Sequence, residues 1–125
     1  MSNIPSDEDF ARADRLFAEL FRNIDKVSGN VKRHFMGICP LHNLYILPQL
    51  DVNFRVYVFF KEDKDIDACK RNGITQRIED LIFRELELAG RGRKADITIA
   101  FEWDSHENVL ANYEGDYFLR LRAAG

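Results

Sequence analysis

The residues best suited to chemistry lie close together near the C-terminal end of the chain. A single short stretch contains three carboxylates and one imidazole, which belong to Glu102, Asp104, His106 and Glu107. Glu102 and Asp104 are two residues apart, so on an extended chain they share one face. Carboxylates held that close raise the pKa of one of the pair, and beside an imidazole they could transfer protons as a general acid or base. The same group could equally form a solvated acidic surface that binds a basic partner.

Nucleophilic catalysis is the second chemistry that these residues suggest. Asp104-Ser105-His106 contains the residue types of a catalytic triad. A triad, however, needs three side chains that converge in space, usually from separate elements, and no G-x-S-x-G turn is present. We therefore interpret Ser105 as the N-cap of a helical turn over His106–Leu110, with Asn108 at the third position able to bond back to the cap.

Metal and phosphate sites are weakly indicated. Cys39 and His42, with His34 nearby, lack the second close pair of ligands that a structural zinc site uses. The cations of Gly90-Arg91-Gly92-Arg93-Lys94 follow a predicted helix, whereas a phosphate cradle uses the N–H groups at a helix start. We therefore predict no metal and no cofactor.

The elements that position these residues are two predicted strands. Ile97 to Trp103 alternates apolar and polar side chains, and Tyr117 to Arg122 alternates again. The acidic connection lies between them: from Asp96 to Asp116 the chain has six carboxylates and no Lys or Arg. Trp103 falls on the apolar face of its strand, so we expect it in the core.

The clearest strand lies earlier, over Val52–Lys61. Its apolar residues occupy both faces, which predicts a central strand covered on both sides. Residues 63–89 are predicted to be helical, and Asn72-Gly73 leaves open whether they form one helix or two. Residues 31–51 contain two further segments. Val31–Met36 is expected to form either a short strand or a helical turn. The apolar run Leu44–Leu47 is expected to form an edge strand or to pack beneath the core.

The N-terminal part predicts an amphipathic helix. Ser6 is a good N-cap, followed by three acidic residues, and Ser28-Gly29-Asn30 is expected to end the helix. Its apolar stripe is predicted to pack in the core rather than form a dimer seam. The stripe consists of Phe10, Ala13, Leu16, Phe17, Leu20, Phe21 and Ile24.

Together these elements predict one α+β domain over residues 1–125. It has a small mixed β-sheet of three to four strands, packed by the N-terminal amphipathic helix and a long central helix. The net charge is −3 and the isoelectric point is near 5.6, so the protein as a whole has no electrostatic attraction to nucleic acid. Two distant cysteines, an acidic start and no apolar run of about 20 residues predict a reduced, soluble, cytoplasmic protein that contacts no membrane.

One stretch resembles a known family. It consists of Ser105-His106-Glu107-Asn108-Val109, followed by Asn112-Tyr113-Glu114-Gly115-Asp116-Tyr117-Phe118-Leu119-Arg120-Leu121-Arg122. This stretch is similar to bacterial immunity proteins of contact-dependent growth inhibition systems, in particular those that protect against ribonuclease toxins. The resemblance extends from the Phe54–Phe60 strand to Arg122. The N-terminal helix matches only in being amphipathic.

This resemblance implies a protein that binds the C-terminal nuclease domain of a toxin one to one and neutralises it. Such a protein has no catalytic residue and is not itself an enzyme. Nuclease toxins are basic, so an acidic surface with aromatic anchors would suit the partner. The expected contact residues are Glu102, Asp104, His106, Glu107, Tyr113, Glu114 and Asp116. The alternatives are a small acid–base enzyme or small-molecule-binding domain that uses Glu102, Asp104, His106 and Glu107, and a weak homo-oligomer assembled through the first helix.

Overall fold

Six helices and three strands form along residues 6–123, the part of the chain that the computed structural model describes. The elements in chain order are α1 Asp7–Leu20, α2 Ile24–Phe35, β1 Leu41–Pro48, β2 Phe54–Phe60, α3 Asp63–Arg71, α4 Ile74–Leu88, β3 Ile99–Ser105, α5 His106–Asn112 and α6 Tyr117–Arg122. The predicted α+β class with a small mixed sheet is confirmed.

The sheet has three strands in the order β1-β2-β3. The central strand, β2, pairs antiparallel with β1 and parallel with β3. Tyr57 of β2 lies opposite Tyr45 of β1 and opposite Glu102 of β3. Every residue from Val56 to Phe60 is buried, as predicted for a strand covered on both faces.

One face of the sheet forms the main core. Val56, Val58 and Phe60 point to this face because alternate side chains of a strand share a side. They pack against the buried residues of α2, α3 and α4, which are Ile24, Val27, Val31, Phe35, Cys69, Ile74, Ile78, Ile82 and Leu86. Trp103 packs against this core from β3, as its position in the alternation predicted.

The opposite face carries a smaller cluster under α5 and α6. Tyr57 and Phe59 pack there with Val109 of α5, and Tyr117 and Leu121 of α6 cover them. The prediction of a strand over residues 117–122 was wrong, since these residues form α6. The helix starts there because the Asp116 carboxylate accepts the N–H groups of the first residues, at 2.9 and 3.3 Å. Tyr117 and Leu121 are four residues apart, so in a helix they face the same side.

The predicted single N-terminal helix is two helices. α1 ends at Leu20, Asn23 adopts a left-handed conformation with φ 63°, and α2 continues through Ser28-Gly29-Asn30, which was expected to be the stop. A residue far along the chain stabilises the break between α1 and α2. Arg91, just after α4, donates from Nη1 to the carbonyl oxygens of Leu20 at 2.9 Å and Arg22 at 2.8 Å.

Only part of the predicted apolar stripe is in the core. Ile24 is buried in α2, whereas no residue of α1 is buried. Phe10, Leu16 and Phe17 are 55%, 64% and 62% exposed. The expectation that this stripe packs in the core was therefore wrong for α1, and α2 is the N-terminal helix that packs on the sheet.

The structure settles the alternatives left open by the sequence. Residues 31–36 are the end of α2 and its C-cap rather than a strand, and Leu44–Leu47 belongs to the edge strand β1. The helical region over residues 63–89 is two helices. Gly73 separates them with φ 84°, a conformation that favours glycine, and the Asn72 side chain accepts the first N–H of α4 at 3.1 Å.

Candidate functional site

The parallel strands β2 and β3 end side by side, and the helices that follow them start there. Ser105, which is fully buried, accepts the N–H of Asn108 at 2.9 Å and donates its hydroxyl proton to the Asp63 carboxylate. The predicted role of Ser105 as the N-cap of α5 is confirmed. The Asn108 side chain, however, donates to Asp104 at 3.0 and 3.1 Å instead of bonding back to the cap.

Glu107 joins the starts of the two helices. Its Oε1 accepts the N–H of Asp63 at 2.9 Å, and its own N–H donates to the carbonyl oxygen of Lys61 at 3.1 Å. These bonds place Glu107 beside the acidic start of α3. We call the exposed carboxylates of this region the acidic surface: Glu62, Asp63, Asp67 and Glu107.

Three residues of the acidic surface were absent from the predicted site. The predicted site lies entirely after Asp96, whereas Glu62, Asp63 and Asp67 directly follow the central strand. Because β2 and β3 are parallel, their carboxyl ends meet at the same edge of the sheet. The run of acidic residues over 62–67, directly after the clearest strand, was the sequence feature that could have predicted them.

Asp104 is turned into the protein. It is 8% exposed and accepts a hydrogen bond from Arg120 Nε at 2.5 Å. The Arg120 guanidinium lies over the rings of Tyr57 and Tyr113, at 5.5 and 5.8 Å from their centres. Burial lowers the pKa of Arg120, but the hydrogen bond and negative charge of Asp104 outweigh it, so the net shift of the pKa is upward. This pair supports α6 on the sheet.

Glu102 lies on the same face of β3 and is partly buried. Its Oε2 is buried with no hydrogen-bond partner among residues 6–123. Burial raises the pKa of the neighbouring Tyr57 hydroxyl, and the negative charge of Glu102 and the hydrogen bond it accepts raise it further. Glu102 therefore belongs with the Asp104–Arg120 pair and not with the acidic surface.

His106 sits in an aromatic stack that spans three elements. Its ring lies 3.9 Å from that of His42 in β1 with an interplanar angle of 18°, and its Nδ1 is 2.7 Å from the Tyr117 hydroxyl. Burial lowers the pKa of His42, and the neighbouring His106 and Lys61 lower it further. Burial raises the pKa of Tyr117 to about 12, with smaller contributions from Tyr45 and Asp104.

The remaining predicted residues surround the turn between α5 and α6. Tyr113 is half-buried and packs against the smaller cluster. Glu114 is exposed in a left-handed conformation with φ 55°, and Asp116 is the exposed N-cap of α6. Glu107 and Glu114 lie at opposite ends of α5, a helix about 10 Å long.

Cavities are found away from these residues. Three cavities of about 170, 240 and 250 Å³ are lined by residues of α2, α4 and β1 together with flanking residues, and none includes Glu102, Asp104, His106 or Glu107. Within residues 6–123 no group of three or more His, Cys, Asp or Glu side chains is arranged to hold a metal ion. None of the helices in that range has the length and apolar character needed to cross a membrane.

Comparison of the chain with protein-family models, with curated proteins and with solved structures gave no match.

Proposed function

We propose that this protein is a cytoplasmic immunity protein, a stoichiometric inhibitor of a basic nuclease toxin domain, most simply a ribonuclease, and that it is not an enzyme. The binding site is the acidic surface together with Glu114 and Asp116. The observation that carries the proposal is the hydrogen bond from Asp63 N–H to Glu107 Oε1, because it joins acids from two separate elements into one exposed surface.

Electrostatics favours a basic partner for this surface. Residues 61–67 contain four carboxylates and two lysines, and Glu107 adds a further negative charge beside them. One of the lysines, Lys64, is paired with Glu62 at 3.1 Å. A nuclease that holds phosphates carries the opposite charge, so the two surfaces attract each other before contact and associate quickly.

Exposed apolar side chains beside the acids supply anchors for such an interface. Leu110 of α5 is 58% exposed and Phe118 of α6 is 66% exposed. Both lie close in sequence to Glu114 and Asp116, at the turn between the two helices. Binding energy in protein interfaces concentrates in a few large side chains that lose water on contact, with polar residues around them.

The proposed contact set differs from the predicted one. Glu107, Glu114 and Asp116 remain contacts because they are exposed. Glu102 and Asp104 are assigned to support of α6, since Asp104 is buried against Arg120. His106 and Tyr113 are partly buried and position the same helices.

The geometry gives no support to the acid–base alternative. Its four groups face different neighbours. Glu102 faces Tyr57, Asp104 faces Arg120, His106 faces His42 and Tyr117, and Glu107 faces the start of α3. A general acid and base must reach the same part of a substrate. Glu102 and Asp104 share one face of β3 beside Arg120, whereas Glu107 lies at the start of α3.

Co-expression with the protein domain encoded immediately upstream in the native locus tests the proposal. We expect a one-to-one complex on co-purification and restored growth of cells that express that domain. The informative variant is Asp67→Lys with Glu114→Lys, because neither residue caps a helix. At low ionic strength we expect association roughly tenfold slower than for the parent protein.

The matched control reverses two exposed charges on α4, Asp80→Lys with Glu87→Lys. It has the same net charge as the test variant, so an effect of total charge alone would slow both equally. Equal association rates for the two variants would overturn the proposed surface. Failure of the well-folded parent protein to bind or protect would overturn the proposed function.

A further inference from the structure

The N-terminal helix α1 is not buried against the rest of the protein. It is fourteen residues long and none of them is buried. Its C-terminal end is held by Arg91, but its apolar residues face water. Isolated helices of about 12–15 residues are marginally stable in water, and amphipathic helices gain most of their stability from packing. The apolar side of α1 therefore lacks the contact that would stabilise it.

The exposed apolar residues are spaced for helix pairing. Phe10, Ala13, Phe17 and Leu20 are separated by three, four and three positions, which is the spacing of one coiled-coil seam. Phe17 is 62% exposed, and its ring stacks on that of Phe21 at 4.5 Å. This seam forms a continuous apolar strip along one side of α1.

We propose that α1 pairs antiparallel with α1 of a second copy of this chain. The seam is symmetric about its midpoint, so a two-fold axis there places Phe10 opposite Leu20 and Ala13 opposite Phe17. A small residue then faces a large one, which lets the two helices interlock. In a two-fold dimer the same surface of each copy meets its counterpart, so a self-complementary seam is required.

The charges at the two ends of α1 favour the antiparallel direction. Its first turn carries Asp7, Glu8 and Asp9. Its last turn is followed by Arg22, which pairs with Glu19 at 3.2 Å. Arg91 is bound there at the carbonyl oxygens of Leu20 and Arg22 and leaves this end with a net positive charge. Antiparallel pairing puts the acidic end of one copy beside the basic end of the other, and it also pairs the helix dipoles favourably. Parallel pairing would place acid beside acid.

A second copy fits this surface better than a basic partner does. The rest of α1 carries both signs of charge, Arg12 and Arg15 as well as Asp14 and Glu19. The acidic surface, in contrast, has an excess of one sign. A surface with mixed charges and a symmetric seam complements itself, whereas a surface with one sign of charge selects a partner of the opposite sign.

The expected dimer is weak. A fourteen-residue helix is about 21 Å long, and one pair of such helices buries less than the roughly 1,200 Å² typical of stable interfaces. Association should therefore depend on protein concentration in the micromolar range and above.

Sedimentation equilibrium of the purified protein over a hundredfold range of concentration tests this proposal. We expect the parent protein to shift from monomer to dimer. Phe17→Glu places a charge in the seam and should raise the dissociation constant at least about tenfold. The control is Ala11→Glu, which adds the same charge on the opposite side of α1, given 100° of rotation per residue.

The control should dimerise like the parent protein, with unchanged far-ultraviolet circular dichroism for both variants. A parent protein that stays monomeric at every concentration would overturn the proposal, as would equal dissociation constants for Phe17→Glu and Ala11→Glu. Loss of toxin-domain binding by Phe17→Glu, in a parent protein that remains monomeric, would also overturn it and assign the seam to that partner. Because sedimentation equilibrium uses the protein alone, its result is independent of the proposed inhibition.

Discussion

Arg120 and Asp104 form a buried ion pair, with Nε and Oδ2 2.5 Å apart and side chains only 11% and 10% exposed. Asp104 lies in the edge strand β3, and Arg120 lies in the last helix of the chain. The contact holds α6 against the sheet, above Tyr57 and Phe59. An ion pair this deeply buried holds its partners firmly, because either charge alone would be costly in the same place.

We predict that Arg120→Met strongly destabilises the protein. The substitution leaves the Asp104 carboxylate buried without its cation, and breaking a buried pair in this way costs about 3–5 kcal/mol. Urea unfolding should show this loss in the free energy of unfolding. Arg122→Met, at an exposed arginine of the same helix, should change it by less than about 0.5 kcal/mol.

The double variant Asp104→Asn with Arg120→Met separates charge burial from lost packing. With the carboxylate removed, no unpaired charge remains, so the double variant should be more stable than Arg120→Met alone. If it is less stable by the full sum of the two single effects, the two residues do not interact and the pair is not what holds α6.

Two N-cap serines should behave differently. Ser105→Ala removes the cap of α5 and the hydroxyl that donates to Asp63, at a fully buried position. We expect it to lower the free energy of unfolding by about 1–2 kcal/mol in chemical denaturation. Ser6→Ala removes the cap of α1, a helix with no buried residue, so it should reduce helical content and leave the global transition in place. Equal effects on the global transition would contradict this assignment.

The His42–His106 stack should make stability depend on pH. The pKa of His42 in the folded protein lies below its ordinary value of 6.5, because burial and the neighbouring His106 and Lys61 disfavour its charge. Below about pH 6.5 the unfolded chain then takes up the proton more readily, so His42 makes the folded state less stable as the pH falls toward the folded pKa. Its contribution is constant above pH 6.5.

The titration of His42 by NMR and unfolding at pH 7.5 and 5.5 check this expectation. In His42→Asn the loss of stability between the two pH values should be smaller than in the parent protein. His106→Asn removes part of the burial and the electrostatic effect of His106, so it should raise the pKa of His42. An unchanged pKa of His42 in that variant would show that the stack does not act on it.

The two thiols should differ in reactivity. Both cysteines are free; Cys69 is buried, and burial raises its pKa to about 11. Cys39 is partly exposed, and burial raises its pKa as well. Since the thiolate is the reactive form, a disulfide reagent at pH 8 should modify Cys39 slowly and Cys69 only on unfolding. The variants Cys39→Ala and Cys69→Ala identify which thiol reacts, and fast reaction of Cys69 in the folded protein would contradict its burial.

Local patterns in the sequence were sufficient for several elements. β2 was predictable because apolar residues on both faces, from Val56 to Phe60, need cover on both sides. The cap at Ser105 was predictable because an N-cap depends on contacts within one turn. Trp103 was placed correctly because strand alternation alone determines its face.

Other features depended on residues far away in the chain. Tyr117 to Arg122 alternates like a strand, yet Tyr117 and Leu121 also match one face of a helix, and Arg120 bonding to Asp104 favours the helix. The break after Leu20 depends on Arg91, which follows it by seventy-one positions. Without that contact, the continuous helical pattern predicts one helix.

In the candidate site, too, some features follow from the local sequence and others depend on distant residues. The sequence by itself determined that acid is concentrated after the strands and that the chain as a whole is acidic. Only the tertiary structure decided which acids form one surface: parallel pairing of β2 and β3 brings Glu107 to Asp63, while Asp104 is turned inward to Arg120. The physical reason is that charge composition is additive along a chain, whereas the exposure of a carboxylate depends on which distant groups pack against it.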